Sequence, residues 1–94
     1  MKLKAESLVL GKASGLVLTL RNSGDAPLNL HVCDMLIDGI AQAFAADCSD
    51  ALQPETSCRV IIAGKFSAGK HEVAVVREKD KIVFQLECAE GIMQ

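Results

Sequence analysis

The sequence contains no tryptophan and no tyrosine, and its three phenylalanines are Phe44, Phe66 and Phe84. Proteins that bind single-stranded nucleic acid use aromatic side chains as stacking platforms inside a positively charged groove. This chain has few such platforms, and its net charge of −2 provides no overall positive field. We therefore expect no nucleic acid among its partners.

Long hydrophobic runs are missing as well. No apolar stretch approaches the length of about 18 residues that crosses a bilayer. The opening residues MKLKAESLVLGK alternate charged and uncharged side chains, unlike the apolar centre of a signal peptide. The sequence therefore predicts no membrane span and contains no recognisable export segment.

The sequence does contain a large aliphatic fraction, since 50% of its residues are hydrophobic. In the stretch LVLTLRNSGDAPLNL, the residues Leu16, Leu18 and Leu20 occupy alternate positions, which is the period of a half-buried strand. About seven such runs recur at spacings of about 8 to 12 residues, the pattern of an antiparallel β-sandwich. The 94 residues are enough for one domain, so we predict a single all-β sandwich over the whole chain.

The first ten residues have the pattern of an edge strand with charged side chains on its open side. The residues expected on its inward face are Leu3, Ala5, Ser7 and Val9. Such a strand can be donated to the sheet of a neighbouring copy through main-chain hydrogen bonds. We treat these four residues as strand-donor candidates, with pairing inside their own domain as the alternative.

A second alternating run follows Pro27, with Leu28, Leu30 and Val32 on one face. Beyond Val32 the apolar positions change parity, which is what a β-bulge produces. The sequence predicts a bulge near residues 33 and 34; the alternative is that one strand ends there and another begins.

Asp38 and Gly39 between apolar runs form the strongest hairpin signal in the chain. This signal predicts that residues 40–46 fold back on residues 35–37. A helix is the alternative, because Ile40, Phe44 and Cys48 also lie at helical spacing and Asp38 is a suitable cap.

The second half of the chain continues the β pattern. A strand is predicted over residues 56–63, followed by a crossover at residues 64–69 in which Phe66 closes one end of the sandwich. Residues 70–77 and 81–88 then form a hairpin around the charged turn at residues 78–80.

The four cysteines are an even number in a short chain, so three disulfide pairings are possible. We predict a bridge between Cys48 and Cys58, which would close a short loop. Cys33 and Cys88 remain as a second candidate pair. Buried thiols are the alternative in a reducing compartment, and links between subunits are a further possibility.

No stretch carries a catalytic or metal-binding signature. Ser67, His71 and Glu72 form the only local polar cluster, and they lack a nucleophile elbow. His31 and Cys33 would share one face of a regular strand, but tight cysteine pairs for zinc are missing. Carboxylates gather in the middle third without the spacing of a calcium loop. We expect no catalytic residues, no metal and no cofactor. The carboxylates concerned are Asp34, Asp38, Asp47, Asp50 and Glu55.

Four segments resemble the immunoglobulin-like domains of archaeal and bacterial surface proteins, in particular archaeal pilin-like and adhesion proteins. These segments are LVLTLRNSGDAPLNL, MLIDGI, LQPETSCRVIIAGKFSAGKHEVAVV and KIVFQLEC. The chain departs from that pattern in lacking the hydrophobic N-terminal helix of type IV pilins and in having Glu55 where such loops usually have glycine.

The resemblance implies a non-enzymatic structural or adhesive module of a cell surface or an extracellular filament. Its expected partners are further copies of itself or another protein, and the cytoplasm is the alternative location. The second hypothesis is a soluble sandwich that binds a peptide or protein, as chaperone-like sandwiches do.

Overall fold

The computed structural model describes residues 1–11, 15–48 and 51–89. Two four-stranded antiparallel sheets account for the architecture, with strand orders β1-β2-β6-β5 and β4-β3-β7-β8. The strands are β1 Leu3–Leu10, β2 Leu16–Asn22, β3 Asp34–Ile37, β4 Ile40–Gln42, β5 Phe44–Ala46, β6 Ser57–Ile62, β7 Gly69–Arg77 and β8 Asp80–Cys88. This confirms the all-β sandwich, while its immunoglobulin-like character stays a prediction.

The core lies between the inner faces of the two sheets. Leu16, Leu18 and Leu20 of β2 are fully buried, and so are Val73 and Val75 of β7. In β2 the three leucines alternate with half-buried residues, because successive side chains of a strand point to opposite faces. Burial of each leucine contributes about 1.5–3 kcal/mol before the cost of ordering the chain. The structure therefore confirms that Leu16, Leu18 and Leu20 form the inward face of β2, as predicted.

Residues 28–32 do not form the predicted second strand. Leu28 makes only an isolated bridge with Leu52, and Leu30–Val32 form a 3₁₀ turn. The predicted bulge near residues 33 and 34 is therefore wrong, because no strand directly precedes this point: the 3₁₀ turn ends at Val32 and β3 begins at Asp34. The tighter helical turn directs Leu30 inward and leaves Val32 64% exposed. A bulge does occur elsewhere, at Glu6 in β1.

The hairpin at Asp38 and Gly39 is confirmed. Both residues have positive φ, 52° and 84°, as a two-residue type I′ turn requires. Ile37 pairs with Ile40 on either side of this turn. The helical alternative is wrong, because the segment is divided between β4 in the second sheet and β5 in the first. This division adds an eighth strand to the seven expected.

The predicted strand over residues 56–63 corresponds to β6, and the predicted C-terminal hairpin corresponds to β7 and β8. In that hairpin Arg77 pairs with Asp80, and Glu78 takes a positive φ of 54° in the turn. Phe66 is half-buried and packs against the core from the connection between β6 and β7, as expected. Across the described ranges the 3₁₀ turn at residues 30–32 is the only helix, and no helix there is long and apolar enough to cross a membrane.

Asn22 closes β2 with a side chain that is only 2% exposed. Its Nδ2 group donates hydrogen bonds to the carbonyls of Ala26 and Leu52, both at 2.9 Å. Its Oδ1 atom accepts the N–H of Gly24 at 2.9 Å. One buried amide therefore holds the turn after β2 and the distant loop around Leu52 together.

Candidate functional site

The strand-donor candidates lie on β1, the edge strand of the first sheet. Leu3 is buried and Ala5 half-buried, as predicted. The bulge at Glu6 then reverses the parity, so that Leu8 is buried while Ser7 and Val9 lie on the outer face. The prediction was wrong for these last two residues, because one extra residue in a strand moves every following side chain to the other face.

β1 pairs with β2 inside its own molecule, from Leu3 opposite Asn22 to Leu10 opposite Leu16. Among residues 1–11, 15–48 and 51–89, the contacts with its other edge lie near its C-terminal end. The N–H of Leu10 donates to the carbonyl of Ala89 at 3.0 Å, and the N–H of Ala89 donates to the carbonyl of Leu8 at 3.2 Å. No other strand in the described part of the chain pairs with that edge, so most of β1 offers unused main-chain groups.

The structure places Cys48 directly across from Cys58. The ladder between β5 and β6 pairs Ala46 with Val60 and continues through the N–H of Asp47, which donates to the carbonyl of Arg59 at 3.0 Å. The two sulfur atoms lie 2.6 Å apart, and both cysteines are thiols in this structure. Opposed residues in an antiparallel ladder have the Cα separation that a disulfide needs. The geometry is therefore compatible with the predicted bridge, which itself stays a prediction.

Burial raises the pKa of Cys58 to about 12, and hydrogen bonds with Cys48 and Asp47 act in the same direction. At neutral pH this residue is a protonated thiol and a poor nucleophile. Cys48 is half-exposed, so solvent reaches the pair at this residue. A structural cross-link suits this arrangement better than a reactive site.

The second candidate pair is separated by the length of β7. Cys33 precedes Asp34, which pairs with Val76 near the end of β7, whereas Cys88 pairs with Gly69 at its start. Seven residues of strand at about 3.3 Å each separate these two ends. A bridge between Cys33 and Cys88 in one molecule is therefore wrong, because a disulfide tolerates a Cα separation of only about 7 Å.

The polar cluster at residues 67–72 includes Asp38, which the sequence pattern did not connect with it. The Nδ1 atom of His71 lies 2.7 Å from Oδ2 of Asp38, and its Nε2 atom lies 2.7 Å from the carbonyl oxygen of Ser67. Both neighbours accept hydrogen bonds, so both ring nitrogens donate only when the imidazole is protonated. The ring of Phe66 meets the His71 ring edge-on, with centroids 6.2 Å apart.

These contacts change two pKa values in opposite directions. The Ser67 carbonyl and the Asp38 carboxylate raise the pKa of His71 above its ordinary 6.5 against the opposing effect of burial. The backbone N–H of Glu72 and the His71 ring hold the pKa of Asp38 below its ordinary 3.8. Since Nε2 is held by a main-chain carbonyl, this ring is arranged as a clasp between the β3–β4 turn and the start of β7. The arrangement is not that of a general base facing a nucleophile.

We expect this clasp to make stability pH-dependent. The raised pKa of His71 contributes stability that is complete below about pH 6.5 and is lost as the pH rises through the folded-state pKa. The lowered pKa of Asp38 contributes stability that is present above about pH 3.8 and is lost as the pH falls through its folded-state value. Each change is about 1 kcal/mol or less, because the carboxylate of Asp38 is half-exposed and solvent screens it.

Urea unfolding of the wild type and the His71→Gln variant between pH 5 and pH 9 measures this effect. The wild type should lose stability as pH rises through the His71 transition, and the variant should lose this component. His31→Gln is the matched control, because His31 is exposed on the 3₁₀ turn. Equal slopes for the wild type and His71→Gln would show that the clasp does not titrate.

The residues considered for metals do not assemble. His31 is exposed and Cys33 is buried, since the 3₁₀ turn separates side chains that a regular strand would align. Asp47 instead accepts the N–H and the guanidinium Nε of Arg59, at 2.8 and 3.3 Å. Within residues 1–11, 15–48 and 51–89 no group of three or more possible ligands is found, and Asp50 lies outside those residues.

Comparisons of this chain with protein-family models, with curated proteins and with solved structures found no match.

Proposed function

We propose that this chain is a non-enzymatic structural or adhesive module of a cell surface or extracellular filament, which assembles by donating residues 1–10 to a neighbouring copy. The observation that carries the proposal is the position of β1. It is an edge strand that inserts Leu3 and Leu8 into the core between the two sheets. Every copy has an identical groove for this strand, so the β1 of one copy fits the sheet of the next.

The strand order supports the immunoglobulin-like part of the proposal. The first sheet contains the first, second, sixth and fifth strands, and the second contains the fourth, third, seventh and eighth. Immunoglobulin-type sandwiches divide their strands as A-B-E-D and C-F-G, with an added C′ strand beside C in some members. The order found here corresponds to that division strand for strand.

The connection after β1 supports strand exchange. It begins with Gly11 and ends with Gly15, whose carbonyl accepts the N–H of Gly11 at 2.8 Å. Exchange requires the hydrogen bond between Gly11 and Gly15 to break, so that the two residues move apart and link two copies. Glycine at both ends allows such a change at little steric cost.

Variants of this connection test the proposal without altering any strand. Deletion of residues 12–14 hinders the return of β1 to its own β2 and is expected to increase assembly, whereas a flexible Gly/Ser insertion after residue 14 is expected to decrease it. Size-exclusion chromatography with light scattering over a wide concentration range measures the mass of each protein. Opposite shifts of the two variants around the wild type support strand donation.

Equal assembly of the two variants would contradict donation by β1. A wild-type protein that stays monomeric at every concentration would contradict self-assembly altogether. That result would favour the alternative of a soluble module that binds a different protein or peptide.

A further inference from the structure

The outer face of the first sheet carries an apolar row that crosses all its strands. The registers align Val9 with Val17, Val17 with Ile61, and Ile61 with Ala45. Ile61 is 53% exposed, although it is one of the larger aliphatic side chains. The row borders a shallow groove of about 300 Å³.

The outer face of the second sheet carries a row of the same kind. There the registers align Ala41 with Leu36, Leu36 with Ala74, and Ala74 with Val83. Val83 is 45% exposed, whereas Ala74 is buried because its methyl group lies between longer neighbours. The molecule thus has two apolar rows on opposite sides. The side chains of both rows are short, so another sheet can approach each row closely.

The charges beside the two rows differ in sign. The outer face of the first sheet has three basic residues against two acidic ones, and the outer face of the second has three acidic residues against two basic ones. Contact between unlike faces therefore brings opposite net charges together, and contact between like faces does not. The residues are Lys4, Arg21, Arg59, Glu6 and Asp47 on the first face, and Asp34, Glu72, Glu87, Lys70 and Lys81 on the second.

We propose that the outer face of the first sheet packs on the outer face of the second sheet of the next copy, so that the occupant of each row is another copy of this chain. Sheets pack face to face at about 10 Å when their facing side chains interdigitate. A contact between two different faces leaves one face free at each end, so it continues into an open chain unless the rotation between copies closes it into a ring. The inference rests on the proposed function and adds a second contact to the assembly formed by β1.

Two charge substitutions test this contact. Ile61→Asp places a negative charge opposite the acidic face, and Val83→Lys places a positive charge opposite the basic face. Each variant alone should associate at least about tenfold more weakly than the wild type in sedimentation velocity, because an unpaired charge is buried in the contact. Val32→Lys is the matched control, since Val32 is 64% exposed but lies on the 3₁₀ turn outside both rows.

An equimolar mixture of the two variants provides the decisive measurement. The intact second-sheet face of Ile61→Asp meets the intact first-sheet face of Val83→Lys, so mixing should restore association at least to one-to-one pairs. If association is weakened in Ile61→Asp but not in Val83→Lys, and mixing does not restore it, the first-sheet faces of two copies pair symmetrically. That result would overturn head-to-tail stacking.

The failure of this inference is distinguishable from that of the proposed function. If both substituted proteins assemble like the wild type while the variants of the β1 connection shift assembly in opposite directions, stacking is wrong and strand donation stands. A wild-type protein that is always monomeric overturns both.

Discussion

Replacement of Asn22 by alanine is expected to lower the free energy of unfolding by about 3 kcal/mol, because it removes three hydrogen bonds of a buried amide at about 1 kcal/mol each. The amide donates to the carbonyls of Ala26 and Leu52 and accepts the N–H of Gly24. The carbonyl of Leu52 is in the long loop between β5 and β6, 30 residues away in sequence. The substitution therefore loosens two parts of the molecule together.

Urea denaturation followed by circular dichroism measures this effect. Asn29→Ala is the matched control, because Asn29 is exposed and its side chain accepts one hydrogen bond, from the N–H of His31. The control substitution should lower the free energy of unfolding by about 1 kcal/mol or less, as expected for the loss of a helix N-cap. Equal losses of unfolding free energy in the two variants would show that the buried Asn22 amide contributes no more to stability than the exposed Asn29 side chain. Asn22→Asp should not restore stability, because a carboxylate cannot donate to the two carbonyls.

Oxidation of Cys48 and Cys58 to a disulfide is expected to raise the free energy of unfolding by about 3 kcal/mol, the value that chain entropy gives for a loop of this length. The two residues are opposed across the end of the β5–β6 ladder, so the bridge forms without rearrangement of the sheets. It would secure β5, which has only three residues, to its neighbour. The edge of the first sheet should gain most of the stabilisation.

The measurement compares unfolding of the same protein with and without reductant, together with gel mobility under both conditions. Cys48→Ala is the control, because this half-exposed residue can be removed while Cys58 stays in the core. The variant should show no stabilisation on oxidation. Thiol titration of the oxidised monomer should find Cys33 and Cys88 still reduced, since β7 holds them apart. An oxidised protein no more stable than the reduced one would contradict the bridge.

Local chemistry explains why much of the fold was predictable. Asp38 and Gly39 adopt the positive φ angles of a tight turn, and this preference belongs to the two residues themselves. The same holds for the period of Leu16, Leu18 and Leu20, because alternation is a property of one strand. Such features require no knowledge of distant partners.

The sequence did not predict the features that depend on strand parity or on the partner strand. An apolar pattern at residues 28–32 is compatible with a strand and with a 3₁₀ turn, and the bridge between Leu28 and Leu52 decides in favour of a short contact followed by a turn. The position of the bulge at Glu6 likewise depends on the partner strand, since only pairing shows which residue is extra. The prediction for the inward face of β1 was therefore wrong beyond Ala5.

The sequence by itself determined the all-β class, the two hairpin turns and the inward faces of the central strands, because each follows from neighbouring residues. Only the tertiary structure decided which distant groups meet. It joined His71 to Asp38, placed Cys48 across from Cys58, separated Cys33 from Cys88 and aligned the apolar rows of the outer faces. The physical reason is that register and sheet order arise from the packing of the whole core, and the pattern of a single strand contains neither.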